Sequence, residues 1–253
     1  MLWTPYAGHE KMATMTSASG TSGTSETSET PRNVRDELVH AAVKLLDGDG
    51  PDALQTRKIS RAAGTSTMAV YTHFGGMQAL IAAVAEEGLR QFADALTLPQ
   101  TDDPVADLIA TGIAYRRYAI ERPHMYRLMF GSTSAHGINA PAHNVVSLPV
   151  AEINEHYPSF ARVVQPVRRS MLAGRITVGS ASDDSAVVAT AAQFWAAIHG
   201  FVMLELAGYY GDNSAAVRPV LAAMTTNLLV ALGDSRERVQ QSQRLALGET
   251  PGA

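Results

Sequence analysis

The chain has 253 residues, which is enough for one large domain or for a small domain followed by a larger one. Its formal net charge of −4 gives no overall basic signature for nucleic-acid binding, so such a function would have to depend on a local patch. The absence of cysteine excludes disulfides, thiol catalysis and cysteine-ligated zinc.

Residues 1–31 are dominated by Ser, Thr, Gly and Glu, as in TSASGTSGTSETSET. This composition offers little apolar surface to bury, so we expect a disordered tail. The segment lacks the basic start and long apolar core of a secretory signal, and no apolar run in the chain approaches membrane-spanning length. These features lead us to expect a cytoplasmic protein.

The first predicted helix follows Thr30, a candidate N-cap, and has Pro31 in its first turn. Apolar residues recur on one helical face from Val34 to Leu46. The sequence DGDGP then ends this helix at residues 47–51.

The stretch ISRAAGTSTMAVYTHFGG, residues 59–76, predicts two short helices joined at Gly64. Glycine suits this turn because it adopts positive φ at no steric cost. Small side chains allow the two helices to cross closely: Ser60, Ala62, Ala63 and Ala69. This is the helix-turn-helix pattern, in which the second helix inserts its N-terminal part into the DNA major groove.

The candidate DNA-binding residues are Thr56, Arg57, Lys58, Ser66, Thr67, Met68, Tyr71, Thr72 and His73. No acidic residue lies between Asp52 and Glu86, whereas Arg57, Lys58 and Arg61 are present, so this stretch is locally positive and suits phosphate binding. Threonine methyls and Met68 suit thymine methyl contacts, and the hydroxyls suit several base edges. From these residues alone, an ordinary helical hairpin with a solvated basic face is an equal alternative.

The remaining chain also reads as helices, predicted at 77–95, 104–121, 123–130, 149–156, 159–173, 183–207 and 214–232, with a loop at 131–146. No strand pattern competes with them, so we predict an all-α fold. Its parts are a helix-turn-helix domain of three helices at 32–76, a connecting helix at 77–97, a larger C-terminal helical domain at 98–233 and a flexible tail at 234–253.

The predicted helix at 183–207 is apolar nearly all round, and such a helix must be covered on more than one side. Packing against a second copy would supply this cover. Together with the helix at 214–232, it predicts a four-helix dimer interface. A dimer would also let two recognition helices read a palindrome.

Trp195 and His199 are four residues apart and therefore share a helical face. The candidate ligand-binding residues are Tyr115, Tyr118, Met125, Met129, Trp195 and His199, with Tyr126 nearby. They suit an apolar cavity with His199 as a hydrogen-bonding group, and Arg116 or Arg117 could bind a ligand carboxylate at its mouth. The same residues equally suit an ordinary core containing a hydrogen-bonded histidine.

Residues Val34 to Leu96 resemble the DNA-binding domain of the TetR family of transcriptional regulators. The resemblance is carried by Ala53-Leu54, Arg57-x-Ile59-Ser60, Ala63-Gly64-x-Ser66, Val70-Tyr71-x-His73-Phe74 and Leu80. It implies that Tyr71 and His73 approach phosphates and that residues 66–72 include the base-reading side chains. The sequence departs from the family pattern at Gln55, Thr65 and Met77; a lysine often stands at the last of these positions and touches phosphate.

The stretch Trp195-Ala196-Ala197-Ile198-His199-Gly200 is similar to the WHG subgroup of that family, and the segment Arg116 to Phe130 fits the same subgroup. The resemblance implies a homodimeric repressor that binds a palindromic operator, is released by a small apolar molecule and needs no cofactor. The alternatives are a helical protein–protein adaptor without DNA binding, and a helical enzyme or metal-binding bundle. The sequence contains no His-Glu-x-x-His, phosphate-binding glycine loop or Gly-x-Ser-x-Gly motif, so we do not predict an enzyme.

Overall fold

The computed structural model describes residues 33–131, 144–211 and 214–248. Every regular element in these ranges is helical, in agreement with the predicted all-α class. The predicted tail at 1–31 lies outside the described residues, as does most of the predicted loop at 131–146. The described residues belong to one compact unit.

The first four helices are α1 (Val34–Asp49), α2 (Thr56–Ala62), α3 (Thr67–Phe74) and α4 (Met77–Ala95). The remaining helices are α5 (Pro104–Glu121), α6 (Pro123–Phe130), α7 (Val150–His156), α8 (Pro158–Leu172), α9 (Asp184–Leu206), α10 (Ala223–Ala231) and α11 (Arg236–Ala246). Short 3₁₀ turns occupy Pro51–Ala53 and Val145–Ser147, and a π-helical segment occupies Val217–Ala222.

The start of α1 differs from the sequence-based prediction. The helix begins at Val34, and Asn33 is its N-cap, with a side-chain oxygen that accepts a hydrogen bond from the backbone N–H of Arg35 at 3.2 Å. Asparagine is among the best N-cap residues. The predicted cap at Thr30 is therefore wrong.

The helix-turn-helix forms as predicted. Gly64 in the turn between α2 and α3 has φ +64°, which is the conformation that favours glycine. Ile59 of α2 and Val70 of α3 are fully buried together with Leu38 and Leu80 from the flanking helices α1 and α4. Local periodicity was sufficient to predict this unit because its contacts join helices that are close in sequence.

The C-terminal helices surround α5, which packs against α8, α9 and α11. Helix α4 contacts α1, α3, α6 and α8, so it connects the helix-turn-helix with the rest of the chain. One hydrophobic cluster runs without interruption from α1 to α9 through this connecting helix. A second cluster lies among α5, α7, α8, α9, α10 and α11.

The prediction of a flexible tail at 234–253 is wrong for residues 236–246, which form α11. Val239 and Ser242 are buried in this helix. The guanidinium of Arg175 is paired with Asp234 at 2.7 Å and with Asp103 at 3.0 Å, and it donates a hydrogen bond to the Ser242 hydroxyl at 3.0 Å. These contacts connect α11 to the start of α5. They could not be predicted from the polar composition of the segment, because they join residues that are far apart in the chain.

The predicted helix at 214–232 is divided into the π-helical segment Val217–Ala222 and α10. Pro219 lies in the π-helical segment. Proline has no backbone N–H and cannot continue the i→i−4 ladder, which accounts for the change of register. Helix α9 matches its prediction to within one residue at each end.

Candidate DNA-binding surface and effector site

The predicted DNA-facing side chains of α2 and α3 are exposed, with one exception. The exposed residues are Arg57, Lys58, Ser66, Thr67, Met68, Tyr71, Thr72 and His73. Met68 and Tyr71 have 67% and 56% of their surfaces open to solvent. The surface of the two helices therefore combines basic groups on α2 with apolar and hydroxyl groups on α3.

Thr56 is the exception because it is partly buried. Its hydroxyl contacts the Met77 sulfur at 3.7 Å. Met77 occupies the first position of α4, where the resemblance leads one to expect a lysine. The Thr56–Met77 contact therefore packs α2 against α4, but it places no positive charge there that could bind phosphate.

The hydroxyl groups near the two ends of α3 differ in whether they are already hydrogen-bonded within the helix. Ser66 is the N-cap, but its side chain makes no capping hydrogen bond, so its hydroxyl remains available to a ligand. Thr72 uses its hydroxyl within the helix and donates to the backbone oxygen of Met68 at 3.1 Å. At the C-terminal end, the Arg35 guanidinium of α1 lies 5.1 Å from the centre of the Phe74 ring and connects α3 to α1.

The predicted ligand-binding residues meet in one aromatic cluster. Tyr115, Tyr118, Met125 and Met129 are buried, and Trp195 and His199 are partly buried. Trp195 is surrounded by the rings of Tyr115, Phe160, Phe92 and Phe130, with centroid distances of 5.1, 5.5, 6.1 and 6.2 Å. The sequence analysis did not single out these three phenylalanines, which come from α4, α6 and α8.

A hydrogen-bonded triad forms the polar part of this cluster. The hydroxyls of Tyr115 and Tyr126 are 2.8 Å apart, and the Nδ1 atom of His199 lies 3.1 and 2.8 Å from them. Burial raises the pKa of Tyr115 and Tyr126 above the ordinary tyrosine value and lowers the pKa of His199 below 6.5. Burial therefore favours the neutral form of all three groups. This arrangement agrees with the hydrogen-bonded core histidine that the sequence left open.

Arg116 does not have the role suggested for it in the sequence analysis. Its guanidinium binds both carboxylate oxygens of Glu205, at 2.8 and 2.6 Å, and donates to the Ser214 hydroxyl at 2.7 Å. This bidentate pair occupies the fork that a ligand carboxylate would need. Arg117 is exposed at the surface of α5.

Helix α6 contacts both α1 and α4, and Arg122 immediately before it supplies polar contacts to both. The Arg122 guanidinium is ion-paired with Asp47 at the end of α1 and hydrogen-bonded to Gln91 of α4. The imidazole of His124 packs against Gly50, directly after α1. Sequence reasoning missed these contacts because they join residues that are far apart in the chain.

No group of three or more metal-ligating side chains occurs among the described residues. The expectation that no apolar run approaches membrane-spanning length does not hold for helix α9, which is long and apolar enough to cross a membrane. The core helices of soluble proteins can have the same length and composition.

Comparison with known proteins agrees with this architecture. Residues 38–84 match the family described as bacterial regulatory proteins, tetR family. Residues 108–228 match the family described as tetracyclin repressor-like, C-terminal domain. Together the two matches cover the helix-turn-helix and most of the C-terminal helices. The finer WHG assignment stays a prediction.

The HTH-type transcriptional regulator Rv1816 of Mycobacterium tuberculosis is 26% identical over 223 residues, which covers 79% of this chain and 94% of that protein. A solved structure of a protein with unknown function from Rhodococcus sp. RHA1 is 25% identical, with a TM-score of 0.59, and covers 83% of this chain and 100% of that one. The structure of RolR in complex with resorcinol is 16% identical, with a TM-score of 0.57, covers 83% and 92% of the two chains, and supports the fold alone. The chain therefore belongs to the TetR family of DNA-binding transcription regulators, which are not enzymes.

Proposed function

We propose that this regulator is a homodimeric repressor that acts in the cytoplasm, binds a palindromic operator and is released by a small apolar molecule. The observation that carries the proposal is the uninterrupted contact from the recognition helix α3, through α4, to the aromatic cluster around Trp195. A molecule that changes the packing of this cluster would act directly on the helix that supports α3.

DNA binding is supported by the charge and exposure of α2 and α3. Arg57 and Lys58 are exposed within a stretch that carries no acidic side chain from residue 53 to residue 85. Arg57 and Lys58 would bind phosphates, Tyr71 and His73 would approach the backbone, and the remaining exposed side chains of α3 would face the bases. The net charge of −4 makes this local separation of charge essential for attraction to DNA.

Dimerisation through α9 and α10 is supported by apolar surface that a single chain leaves uncovered. Only 44% of the most apolar stretch of α9 is buried. Leu204 of α9 is 41% exposed, and a side chain added at Gly200 would meet no atom of the same chain. A second copy packed along this face would bury such surface and place two recognition helices on one operator. Phe201 belongs to the chain's own core and stacks on Tyr210 at 5.0 Å, so it is not part of the proposed interface.

Effector binding is supported by the types of side chain in the cluster rather than by an open cavity. Aromatic and methionine side chains surround a small polar group formed by Tyr115, Tyr126 and His199. A few convergent polar atoms in an apolar setting are typical of small-molecule sites. We propose that the effector binds beside Trp195 and exchanges hydrogen bonds with this triad.

The effector would act by binding one conformation of α4 more tightly than another. The ring centre of Phe92 in α4 lies 4.9 Å from that of Tyr115 and 6.1 Å from that of Trp195. Helix α4 directly follows the recognition helix α3. A shift of α4 would change the spacing of the two recognition helices in a dimer. By linkage, operator DNA would weaken effector binding by the same factor.

Selection of binding sites from random duplex DNA with the full chain tests the proposal. We expect an enriched inverted repeat whose half-sites are about one or more helical turns apart. A variant with both Arg57→Ala and Lys58→Ala is the control and should enrich nothing while it remains folded and dimeric. A folded, dimeric wild-type chain that enriches no sequence would contradict operator binding and favour the adaptor alternative.

A further inference from the structure

The recognition helix lacks the side chains that usually discriminate bases by hydrogen bonds. Helix α3 reads TMAVYTHF and contains no Arg, Lys, Asn, Gln, Asp or Glu. Bidentate contacts to guanine use Arg or Lys, those to adenine use Asn or Gln, and cytosine is read by Glu or Asp. Base discrimination by α3 must therefore use its hydroxyl, imidazole or apolar groups.

Two exposed side chains of α3 offer apolar groups in place of hydrogen-bond donors. Met68 has 67% of its surface exposed, although an unbranched apolar side chain gains nothing from contact with water. Thr72 is exposed one helical turn later, and its hydroxyl hydrogen is used in the bond to the backbone oxygen of Met68. The hydroxyl oxygen can then only accept a hydrogen bond, and the methyl group of Thr72 is the part of the side chain that can discriminate bases by shape.

The only methyl group on the major-groove edges of the four base pairs is the 5-methyl group of thymine. We propose that α3 specifies its half-site through thymine methyls, with the Thr72 methyl and the Met68 side chain as the contacting groups. This inference rests on the proposed function, because it requires that α3 enter the major groove. It adds the chemistry of the operator: the bases under α3 include thymines that are recognised by their methyl groups.

The test begins with the operator selected by the full chain. Each thymine of one half-site is replaced in turn by deoxyuridine, which lacks only the 5-methyl group and keeps every hydrogen-bonding atom. Removal of one buried methyl should weaken binding about fourfold at the thymines under α3. The dependence of affinity on salt should stay the same, because no phosphate contact changes.

Two variants of Thr72 separate its methyl from its hydroxyl. Thr72→Ser removes the methyl and keeps the hydroxyl, whereas Thr72→Val keeps a methyl at that position and removes the hydroxyl. Residue 72 is on the surface, and thermal unfolding checks that both variants are folded. We expect Thr72→Ser to lose about fourfold in affinity per half-site, and so about sixteenfold for the dimer on both half-sites, and to bind thymine and deoxyuridine equally at the contacted base. Thr72→Val should keep both its affinity and its preference for thymine.

The outcomes distinguish the inference from the proposed function. An enriched operator whose affinity is unchanged by every deoxyuridine replacement would overturn methyl recognition and leave DNA binding intact. A loss of affinity in Thr72→Val but not in Thr72→Ser would also overturn it, because the hydroxyl would then be the reading group. Failure to enrich any operator would contradict the proposed function and remove the basis of the inference.

Discussion

The hydroxyl of Tyr118 in α5 donates a hydrogen bond to the backbone oxygen of Gly88 in α4, with 3.1 Å between the two oxygens. At the same residue of α4, the absence of a side chain lets Met125 and Met129 of α6 lie against the helix backbone. Both contacts fix the connecting helix to the C-terminal helices at one point. Gly88 is therefore where we expect small changes to affect the coupling between the two halves of the chain.

A methyl group at Gly88 would overlap the sulfur of Met125, which is fully buried and has little room to move. Replacement of a glycine within a helix by alanine gains about 1 kcal/mol from helix propensity, while overpacking a core costs about 1–3 kcal/mol. We expect Gly88→Ala to be less stable than the matched variant Gly112→Ala by about 1–3 kcal/mol, since an added methyl at Gly112 meets no atom. Urea denaturation measures both, and equal stabilisation of the two variants would show that α4 and α6 are not tightly packed at Gly88.

The ion pair between Arg122 and Asp47 should hold α1 against the start of α6. Both side chains are partly shielded from solvent, unlike the exposed pair of Arg90 and Asp94 within α4. A double-mutant cycle of Arg122→Gln and Asp47→Asn should give a coupling energy of about 1 kcal/mol in the free energy of unfolding. The same cycle at Arg90 and Asp94 should give less, and equal coupling in the two cycles would mean that shielding contributes nothing to the Arg122 pair.

The salt dependence of operator affinity should identify the residues of α2 that bind phosphate. Arg57→Ala or Lys58→Ala should weaken binding to all DNA sequences, and each should reduce the slope of log affinity against log salt by about 0.9 for every phosphate that is no longer neutralised. Arg236→Ala is the control, because this exposed arginine lies on α11 and donates to Asn227. An unchanged slope in folded Arg57 and Lys58 variants would assign phosphate binding to other residues.

A charge on the uncovered face of α9 should separate the proposed dimer. Leu204→Asp would bury an unpaired carboxylate in a dry interface, which is strongly unfavourable. Leu245→Asp in α11 is a matched control, since the two leucines are 41% and 47% exposed in the single chain. Sedimentation should give a monomer for the first variant and a dimer for the second, with operator affinity lost only in the first. A Leu204→Asp variant that stays dimeric at low concentration would locate the interface elsewhere.

The sequence predicted the helix-turn-helix because its determinants are local. Gly64 at the turn, Ile59 and Val70 on the facing sides and the acid-free stretch all lie close together in the chain, so periodicity and turn chemistry sufficed. The sequence also grouped side chains that the structure brings together in one aromatic cluster, although it did not say whether they form a cavity or a core. The sequence analysis did not single out Phe92, their partner in α4.

The contacts that sequence reasoning missed are those between distant charges. Arg116 and Glu205 are 89 residues apart, and Arg175 and Asp234 are 59 residues apart. No periodicity marks such pairs, and each residue alone looks like an ordinary surface charge. The missed helix α11 follows from the same cause, because its position depends on Asp234 and Ser242 meeting Arg175 rather than on a strong apolar stripe.

The pH dependence of stability should report the burial of His199. Burial lowers the pKa of this histidine below its ordinary value of 6.5, while the unfolded chain keeps that value. Below pH 6.5 the unfolded state therefore binds a proton that the folded state does not, and the free energy of unfolding falls as the pH falls from 6.5 through the folded-state pKa. The His199→Gln variant, which retains a hydrogen-bonding group beside Tyr126, should lack this part of the pH dependence.

Trp195 offers a direct measurement of the same titration, because it lies one helical turn from His199 and the only other tryptophan is Trp3. In a Trp3→Phe background, protonation of His199 should quench the fluorescence of Trp195 with a midpoint below pH 6.5. The two neighbouring tyrosines, Tyr115 and Tyr126, have raised pKa values and stay protonated throughout this range. The change should disappear in His199→Gln, and a midpoint at or above pH 6.5 in the chain that retains His199 would mean that the imidazole is not desolvated by the cluster.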